Sequence, residues 1–318
     1  MNKRASGSEG KNWASHLQRH LFRSTLLYHS PENLTQLENS IQEDLERDVD
    51  TFICVGGDGT VNTLIQHLAN KNVSLLVIPS GTANDLASHL GNHRNLNKVI
   101  HTVRMNQTQA IDLISINGRY MATNGGVGLG ASVSQKINVL RKRFPLVKQI
   151  MRLTGKKIYS AMLATELLRP ELKRYTVKFE SEEFNDEVTA PIILINNQPV
   201  LAGTFFIAPK TLNNDGKFNV SILKHASRAN LIECITKIAL QVPINNDPDF
   251  IQFETKKIKI KSSNPNSPFP FFGDGEVFKA ESEYDIEIAP KALKVYSPFH
   301  NALTEDVNTL SPPEVVLQ

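Results

Sequence analysis

An apolar run, Thr51-Phe52-Ile53-Cys54-Val55, breaks into Gly56-Gly57-Asp58-Gly59-Thr60 and then into a segment, Val61 to Ala69, whose apolar residues recur at helical spacing. This pattern predicts a strand, a glycine turn and a helix. Glycine has no Cβ to keep a ligand off the backbone, and a helix N-terminus favours negative charge, so such a junction suits a phosphate. Asp58 would bring a carboxylate to the same place, which makes sense chiefly with a divalent cation between the charges. The bland reading is a tight turn capped by Asp or Thr. A second junction weighs against it: Leu75-Leu76-Val77-Ile78 reads as a buried strand, and Pro79-Ser80-Gly81-Thr82-Ala83-Asn84-Asp85 leads into another short helix. Two phosphate-type turns would then lie side by side at the carboxyl ends of neighbouring strands, where open parallel sheets bind ligands.

The 318 residues are enough for two domains with real cores, and 40% hydrophobic content with 21% charged residues excludes wholesale disorder. Cys54 and Cys234 are too few for a disulfide framework and point to a reducing compartment. Met1 to Gly10 has no apolar core of a secretory signal, and no run approaches the roughly 18 apolar residues of a membrane span. The expected location is the cytoplasm, peripheral at the membrane. A net charge of +3 implies no nucleic-acid partner. The charge is uneven, however: residues 136–157 hold eight basic side chains and no acidic one, interleaved with Phe144, Leu146, Val147, Ile150, Met151 and Leu153. That composition suits either contact with an anionic membrane or a solvated helix face.

Along the chain, Phe22 to Tyr28 suits a strand, and Ser30-Pro31-Glu32 marks the start of a helix running to about Glu46. Strand 51–55, helix 60–70, strand 74–78, helix 83–90 and helix 96–105 follow. This alternation indicates an α/β domain over residues 1–112, its parallel sheet covered on both faces. Beyond Asp112 the pattern becomes short alternating runs: Thr176 to Phe179, Ile192 to Ile195, Phe205 to Ala208, Phe218 to Leu223, Lys257 to Lys261 and Ile286 to Ile288. They predict an antiparallel β-sandwich over 113–300 with helical insertions near 145–169 and 227–241, and a loose tail over 301–318.

Three further features combine flexible backbone with polar groups: Asn124 to Gly130, Leu212-Asn213-Asn214-Asp215-Gly216, and Gly273-Asp274-Gly275-Glu276. The second reads equally well as an ordinary turn. Phosphoryl transfer needs a phosphate cradle, a magnesium ion to neutralise charge and a base for the acceptor hydroxyl. The glycine turns and Asp58 are candidates for the first two, and Asp274 or Asp58 for the third. Neither a Gly-x4-Gly-Lys-Ser/Thr loop nor the signature set of protein kinases is present.

The order of these motifs resembles the diacylglycerol kinase catalytic-domain family, especially its soluble bacterial lipid kinases, to which sphingosine and ceramide kinases are related. The resemblance covers residues 2 to about 298 and rests on Gly56 to Thr60 with Asn62, Ile78 to Leu86, Ile111-Asp112-Leu113, Asn124 to Gly128, Ala202-Gly203, Pro209 to Gly216 and Asp274-Gly275-Glu276. It implies an N-terminal α/β domain of phosphofructokinase/NAD-kinase type, a C-terminal antiparallel sandwich, and ATP- and Mg2+-dependent phosphorylation of a lipid hydroxyl, such as that of diacylglycerol, in the cleft between them. Carried over by position, Gly57, Asp58, Gly59, Thr60, Asn62 and Thr82 would contact nucleotide, with Glu276 nearby. Asp274 would be the general base, and Asp215 would hold a structural magnesium with the backbone carbonyls of Leu212 and Lys217. The family begins with an apolar strand leading to an Asn-Pro-x-Ser-Gly-like turn, so Met1-Asn2 through Ser6-Gly7 is expected to leave that first strand missing, either because the true start lies upstream or because the protein is a reduced form. That gap, together with Thr63 where relatives commonly carry Glu, keeps a catalytically impaired lipid-binding relative as an alternative; an NAD kinase is a more distant one. The identity of the lipid is not legible, and a homodimer stays open.

Overall fold

A computed structural model of the chain describes residues 10–21, 24–143, 157–244 and 247–298. Strands β1 (Thr51–Gly56) and β2 (Ser74–Pro79) pair in parallel, Phe52 opposite Leu75 and Val55 opposite Ile78. Both strands are apolar on both faces, as a sheet covered on two sides requires. On one face α2 (Leu34–Glu46) and α3 (Asp58–Leu68) pack Ile41, Val61, Leu64 and Leu68 against Phe52, Cys54, Leu75 and Val77. Short α4 (Asp85–His89) adds Leu86 and Ala87 to that cluster. On the other face α1 (Gly10–His20) and α5 (Leu96–Arg104) bring Leu17 and Val99 against Val55, Leu76 and Ile78. Each fully buried aliphatic side chain of this kind contributes about 1.5–3 kcal/mol.

The chain then runs through β3 (Thr108–Ile116), β4 (Arg119–Met121), β5 (Asn124–Gly128), α6 (Leu129–Arg143) and α7 (Lys157–Leu167). It continues with β6 (Tyr175–Glu180), β7 (Glu187–Ala190), β8 (Ile192–Asn196), β9 (Phe218–Leu223), α8 (Arg228–Ala239) and β10 (Phe250–Thr255). The last strands are β11 (Lys257–Ser262), β12 (Phe271–Gly273), β13 (Glu276–Val277) and β14 (Glu283–Tyr296). One sheet has the order β1-β2-β14-β11-β6-β7, with β3 and β4 attached through β14, and the second is β10-β9-β8-β5-β12-β13. The two face each other across a core that sets Ile114, Phe179, Ile260 and Ile286 against Val127, Ile193, Val220 and Phe271. In β8, Ile193 and Ile195 join this core while Ile192 and Leu194 turn outward to meet Leu231, Ile235 and Ile238 of α8. The expected parallel α/β unit and antiparallel sandwich are both present.

β14 connects the two units. Lys294 and Val295 pair in parallel with Ser74 and Leu75 of β2, whereas Glu283 to Glu287 pair antiparallel with β11; β3 lies along the other edge. Between Ala289 and Leu293 the register shifts, and Lys291 adopts a positive φ of 52°.

Two expected strands are absent. Residues 24–28 form no ladder, and Phe22 lies outside the described residues. A strand there needs a neighbour at hydrogen-bonding distance, but a cavity of about 210 Å³ lies between Leu26 to His29 and the edge strand β1. Leu27 and Tyr28 are exposed. The run Phe205 to Ala208 also fails to pair beyond a single bridge from Phe205 to Leu201, because its apolar side chains line a pocket instead. Of the basic stretch 136–157, residues 144–156 lie outside the described residues. Lys136 itself is paired with the buried carboxylate of Glu166, which Arg169 also contacts, joining α6 to α7. Among the described residues no helix is long and apolar enough to cross a membrane.

Candidate active site

The two glycine turns touch. A Cβ on Gly81 would stand 2.6 Å from the Gly57 Cα, and one on Gly57 2.9 Å from the Gly81 Cα, so only residues without side chains let the turns after β1 and β2 approach this closely. Thr82 follows in the bend of the second turn. Gly57 is the N-cap of α3 and offers no capping side chain, so the Asp58 and Gly59 amides are the ones placed to meet an anion. Gly59 and Thr60 lie in the first turn of that helix, and Thr60 N donates to Gly57 O.

Asp58 turns toward the second junction. Its Oδ2 accepts the Asn84 N–H at 3.0 Å and its Oδ1 the Asp85 N–H at 2.9 Å. Asn84 has a left-handed backbone, φ 52°, and its side chain bonds both the N–H and the C=O of Gly81. The carboxylate of one turn thus caps the helix that begins at the other.

Asp274 is the convergence point. It sits in the tight β12–β13 turn with φ 50° and is buried. Its Oδ1 accepts the Thr123 N–H at 2.8 Å and the Thr123 hydroxyl at 2.6 Å. Its Oδ2 accepts the Ala122 N–H at 2.9 Å and Asn62 Nδ2 at 3.1 Å. Burial pushes the carboxyl above the ordinary aspartate range, against the downward pull of the bonds from Thr123, Ala122 and Asn62. The close approach of β12 to β5 needs Gly125, where a Cβ would fall 2.2 Å from the Phe272 carbonyl oxygen. Asn124 is buried beside it and holds the loop after β8 by accepting the N–H of Asn197 and Gln198 and donating to Val200 O.

Arg119 completes the polar wall. Its guanidinium donates to Asn62 Oδ1 at 3.3 Å, stands 3.7 Å from the Glu276 carboxylate, and lies 4.6 Å from the Phe278 ring centroid. Glu276 Oε1 in turn comes within 3.7 Å of where a Gly59 Cβ would be. Asp58, Asn62, Thr123 and Asp274 form one end of a pocket of about 120 Å³. Its other walls are Leu194, Phe205, Ile207, Ile235, Ile238 and Phe272, under α6, α7 and α8.

Leu212, Asp215 and Lys217 do not line this pocket. They belong to a separate loop tied to β3 by Asp112, whose N–H donates to Asn213 O while its Oδ2 accepts Gly216 N–H and its Oδ1 accepts the Lys291 N–H of the β14 irregularity. Asp215 Oδ1 accepts the Lys217 N–H of its own turn. The carboxylate and carbonyl donors of that loop are all oxygen, which fits a hard cation such as magnesium. A chain of hydrogen bonds joins the loop to the cleft: Asn197 Nδ2 donates to Asp112 O and Ala122 O, and Ala122 N–H donates to Asp274.

Arg119, Thr123 and the Ala122 amide were not singled out in the sequence. Arg119 carried no signal there, since an arginine after Asn117-Gly118 is an ordinary hairpin residue. Thr123 adjoins a motif that was singled out, Asn124-Gly125-Gly126, but its hydroxyl meets Asp274 across a separation of 151 residues.

Two family models match the chain: the diacylglycerol kinase catalytic domain over residues 1–116, and the YegS C-terminal NAD kinase beta sandwich-like domain over 128–297. "Putative lipid kinase SH2167" of Staphylococcus haemolyticus is 29% identical over 289 residues, covering 88% of this chain and 89% of its own. The diacylglycerol kinase of Bacillus subtilis is 29% identical over 220 residues, covering 68% and 69%. A crystal structure described as a putative diacylglycerol kinase from Bacillus anthracis superposes with a TM-score of 0.70 at 20% identity, covering 89% of this chain and 91% of that one, which shows a shared fold.

Proposed function

The chain belongs to the diacylglycerol kinase catalytic-domain family of lipid kinases, and from that premise we propose that it transfers the γ-phosphoryl group of ATP to a lipid hydroxyl in the cleft between residues 1–112 and 113–300; the expected tail, 301–318, lies outside the described residues. Diacylglycerol is the acceptor in this reading, after the activity for which the Bacillus subtilis relative is named. The observation that carries the proposal is a buried carboxylate, Asp274, set where a long apolar pocket meets two abutting glycine turns. A lipid tail fits the apolar walls, and the turns suit phosphate oxygens.

The N-terminal amides of α3, with Thr82 in the facing turn, would bind the phosphates, and Glu276 and Asn62 would flank them. Asp58 positions the cradle by locking one turn to the other. Asp274 takes the hydroxyl proton; its raised pKa suits a general base better than an ordinary aspartate would. All four of its hydrogen-bonding positions are filled; two donors are fixed backbone N–H groups and the Asn62 amide is held by Arg119, so the Thr123 hydroxyl is the freest to swing away and the proton is received at Oδ1. Magnesium would be held by Asp215 with the Leu212 and Lys217 carbonyls. When bound it supplies positive charge and ties down the loop joined to β3.

Residues 136–157 would bring the cleft to an anionic membrane surface, making the enzyme peripheral at the cytoplasmic side. The test is transfer of label from γ-labelled ATP, with Mg2+, into diacylglycerol, phosphatidylglycerol, sphingosine and ceramide in mixed micelles, with Asp274→Asn as control. A labelled lipid that disappears in the variant supports the reading. A folded protein that labels no lipid would overturn it, and formation of NADP from NAD would replace it with another.

A further inference from the structure

At the edge of the buried face that α8 turns toward the lipid pocket, three side chains of different chemistry converge. His225 follows β9, Cys234 lies mid-helix in α8, and Asp247 precedes β10. His225 and Cys234 are 2% and 1% exposed, and one donor atom from each of the three lies within 4.8 Å of the others. His225 Nε2 is 2.8 Å from Asp247 Oδ2, and the Cys234 thiol stands within 4.8 Å of both partners. His225 Nδ1 is buried and has no hydrogen-bond partner, so the ring is only half satisfied by its surroundings. The cluster opens into a pocket of about 550 Å³, also lined by Glu233 and Lys237, which pair with each other.

We propose that His225, Cys234 and Asp247 form a binding site for a divalent transition metal, zinc by the nature of its donors. Thiolate, imidazole and carboxylate together match a borderline-soft ion and no hard one. Three protein ligands with an open face leave the fourth tetrahedral position to water from the pocket. The geometry is one of near-readiness. Tetrahedral zinc holds its donor atoms roughly 3.3–3.7 Å apart, so the His225–Asp247 pair, now at 2.8 Å, opens by about half an ångström while Cys234 Sγ, within 4.8 Å of the others, draws in. The hydrogen on His225 Nε2 now lies between that ring and Asp247 Oδ2. On binding, the thiol proton leaves to solvent and the imidazole proton moves to Nδ1, so thiolate and carboxylate together balance the 2+ charge. The ion would pin α8 to the connection between β9 and β10. Ile235 and Ile238 of that helix face the lipid pocket, so the metal would brace one of its walls.

The test uses the full chain, stripped with a chelator and titrated with Co2+ and then Zn2+. One equivalent of Co2+ should give a thiolate-to-cobalt charge-transfer band that Zn2+ displaces, and Zn2+ should raise Tm. Cys54→Ala should keep the band, which assigns it to Cys234. Cys234→Ser should abolish it, and His225→Gln and Asp247→Asn should each weaken binding at least 10-fold. Absence of the band in the wild-type protein, or equal uptake by wild type and Cys234→Ser, would overturn the proposal and leave the cluster as a hydrogen-bonded brace. Neither readout depends on lipid or ATP, so the result stands apart from the kinase reading.

Discussion

Replacing Asp274 by Asn separates the chemistry of this carboxylate from its structural work. The carboxylate accepts two donors on each oxygen. An amide keeps one oxygen, and its NH2 must face either the Ala122 N–H with Asn62, or the Thr123 N–H with the Thr123 hydroxyl. The hydroxyl can turn to accept, but one backbone N–H is left opposite a donor in either orientation. A buried donor left unpaired costs about 1–3 kcal/mol. Removing a desolvated charge offsets part of this, since the raised pKa of Asp274 means that its ionised form is disfavoured by folding. The net cost therefore stays below about 3 kcal/mol, a drop of at most about 6 °C in Tm for a chain of this size. With a folded-state pKa above the unfolded one, the stability that Asp274 contributes is present below the ordinary aspartate pKa and lost as pH rises through the raised value. The deficit of the variant should accordingly shrink from acid to neutral pH. Loss of the base should lower kcat by 10²–10⁴, or about 3–5 kcal/mol of barrier, more than the stability term. Thermal unfolding read beside label transfer to diacylglycerol measures both. A folded variant turning over within about 10-fold of wild type would refute the assignment of Asp274 as base.

Thr123→Val removes one bond that favours the ionised carboxylate, so the acidic limb of kcat/KM against pH should move upward; an unmoved limb would argue against proton transfer at Oδ1. Gly81→Ala places a methyl 2.6 Å from the Gly57 Cα and forces the turns apart. Its KM for ATP should rise at least 10-fold while lipid binding to vesicles is kept, and an unchanged KM would remove the turns from the nucleotide site. Gly130→Ala sets a methyl 2.3 Å from the Phe272 ring edge, driving the ring into the pocket. Long-chain acceptors should then lose affinity more than short-chain ones, and equal losses would place the acyl chains elsewhere.

The glycine turns were legible because their chemistry is local: strand, turn and helix start within a dozen residues, and the same holds for Leu75 to Asp85. What surrounds Asp274 was not, because its donors come from Asn62 and from residues 122–123, which no spacing rule connects to position 274. The role of Asp58 was read as facing phosphate or metal; in the fold its oxygens meet Asn84 and Asp85, a contact fixed by how two neighbouring turns stack. Ile286 to Ile288 was readable as a strand, but Pro290 and the left-handed Lys291 hid that the same strand continues to Tyr296. Phe205 to Ala208 misled for the opposite reason, since an apolar run that lines a pocket has the composition of one that pairs. The cluster of His225, Cys234 and Asp247 is equally silent in sequence, where a lone cysteine on an apolar helix face reads as core.

The path of β14 also sets an order of events. Residues 283–296 supply hydrogen-bonding partners to β2 and β3, strands that leave the ribosome about 170 or more residues earlier. Until residues 283–296 are made, β2 has only β1 beside it among the described residues, and β3 only the short β4. The half that carries the phosphate turns therefore waits, incompletely paired, for the end of the chain, and closes only by contacts of very long sequence separation, which are the slow ones to form. A nascent chain stalled before residue 283 should be open to proteases in its N-terminal half, and competence to hold nucleotide would arrive as one of the final steps of its folding.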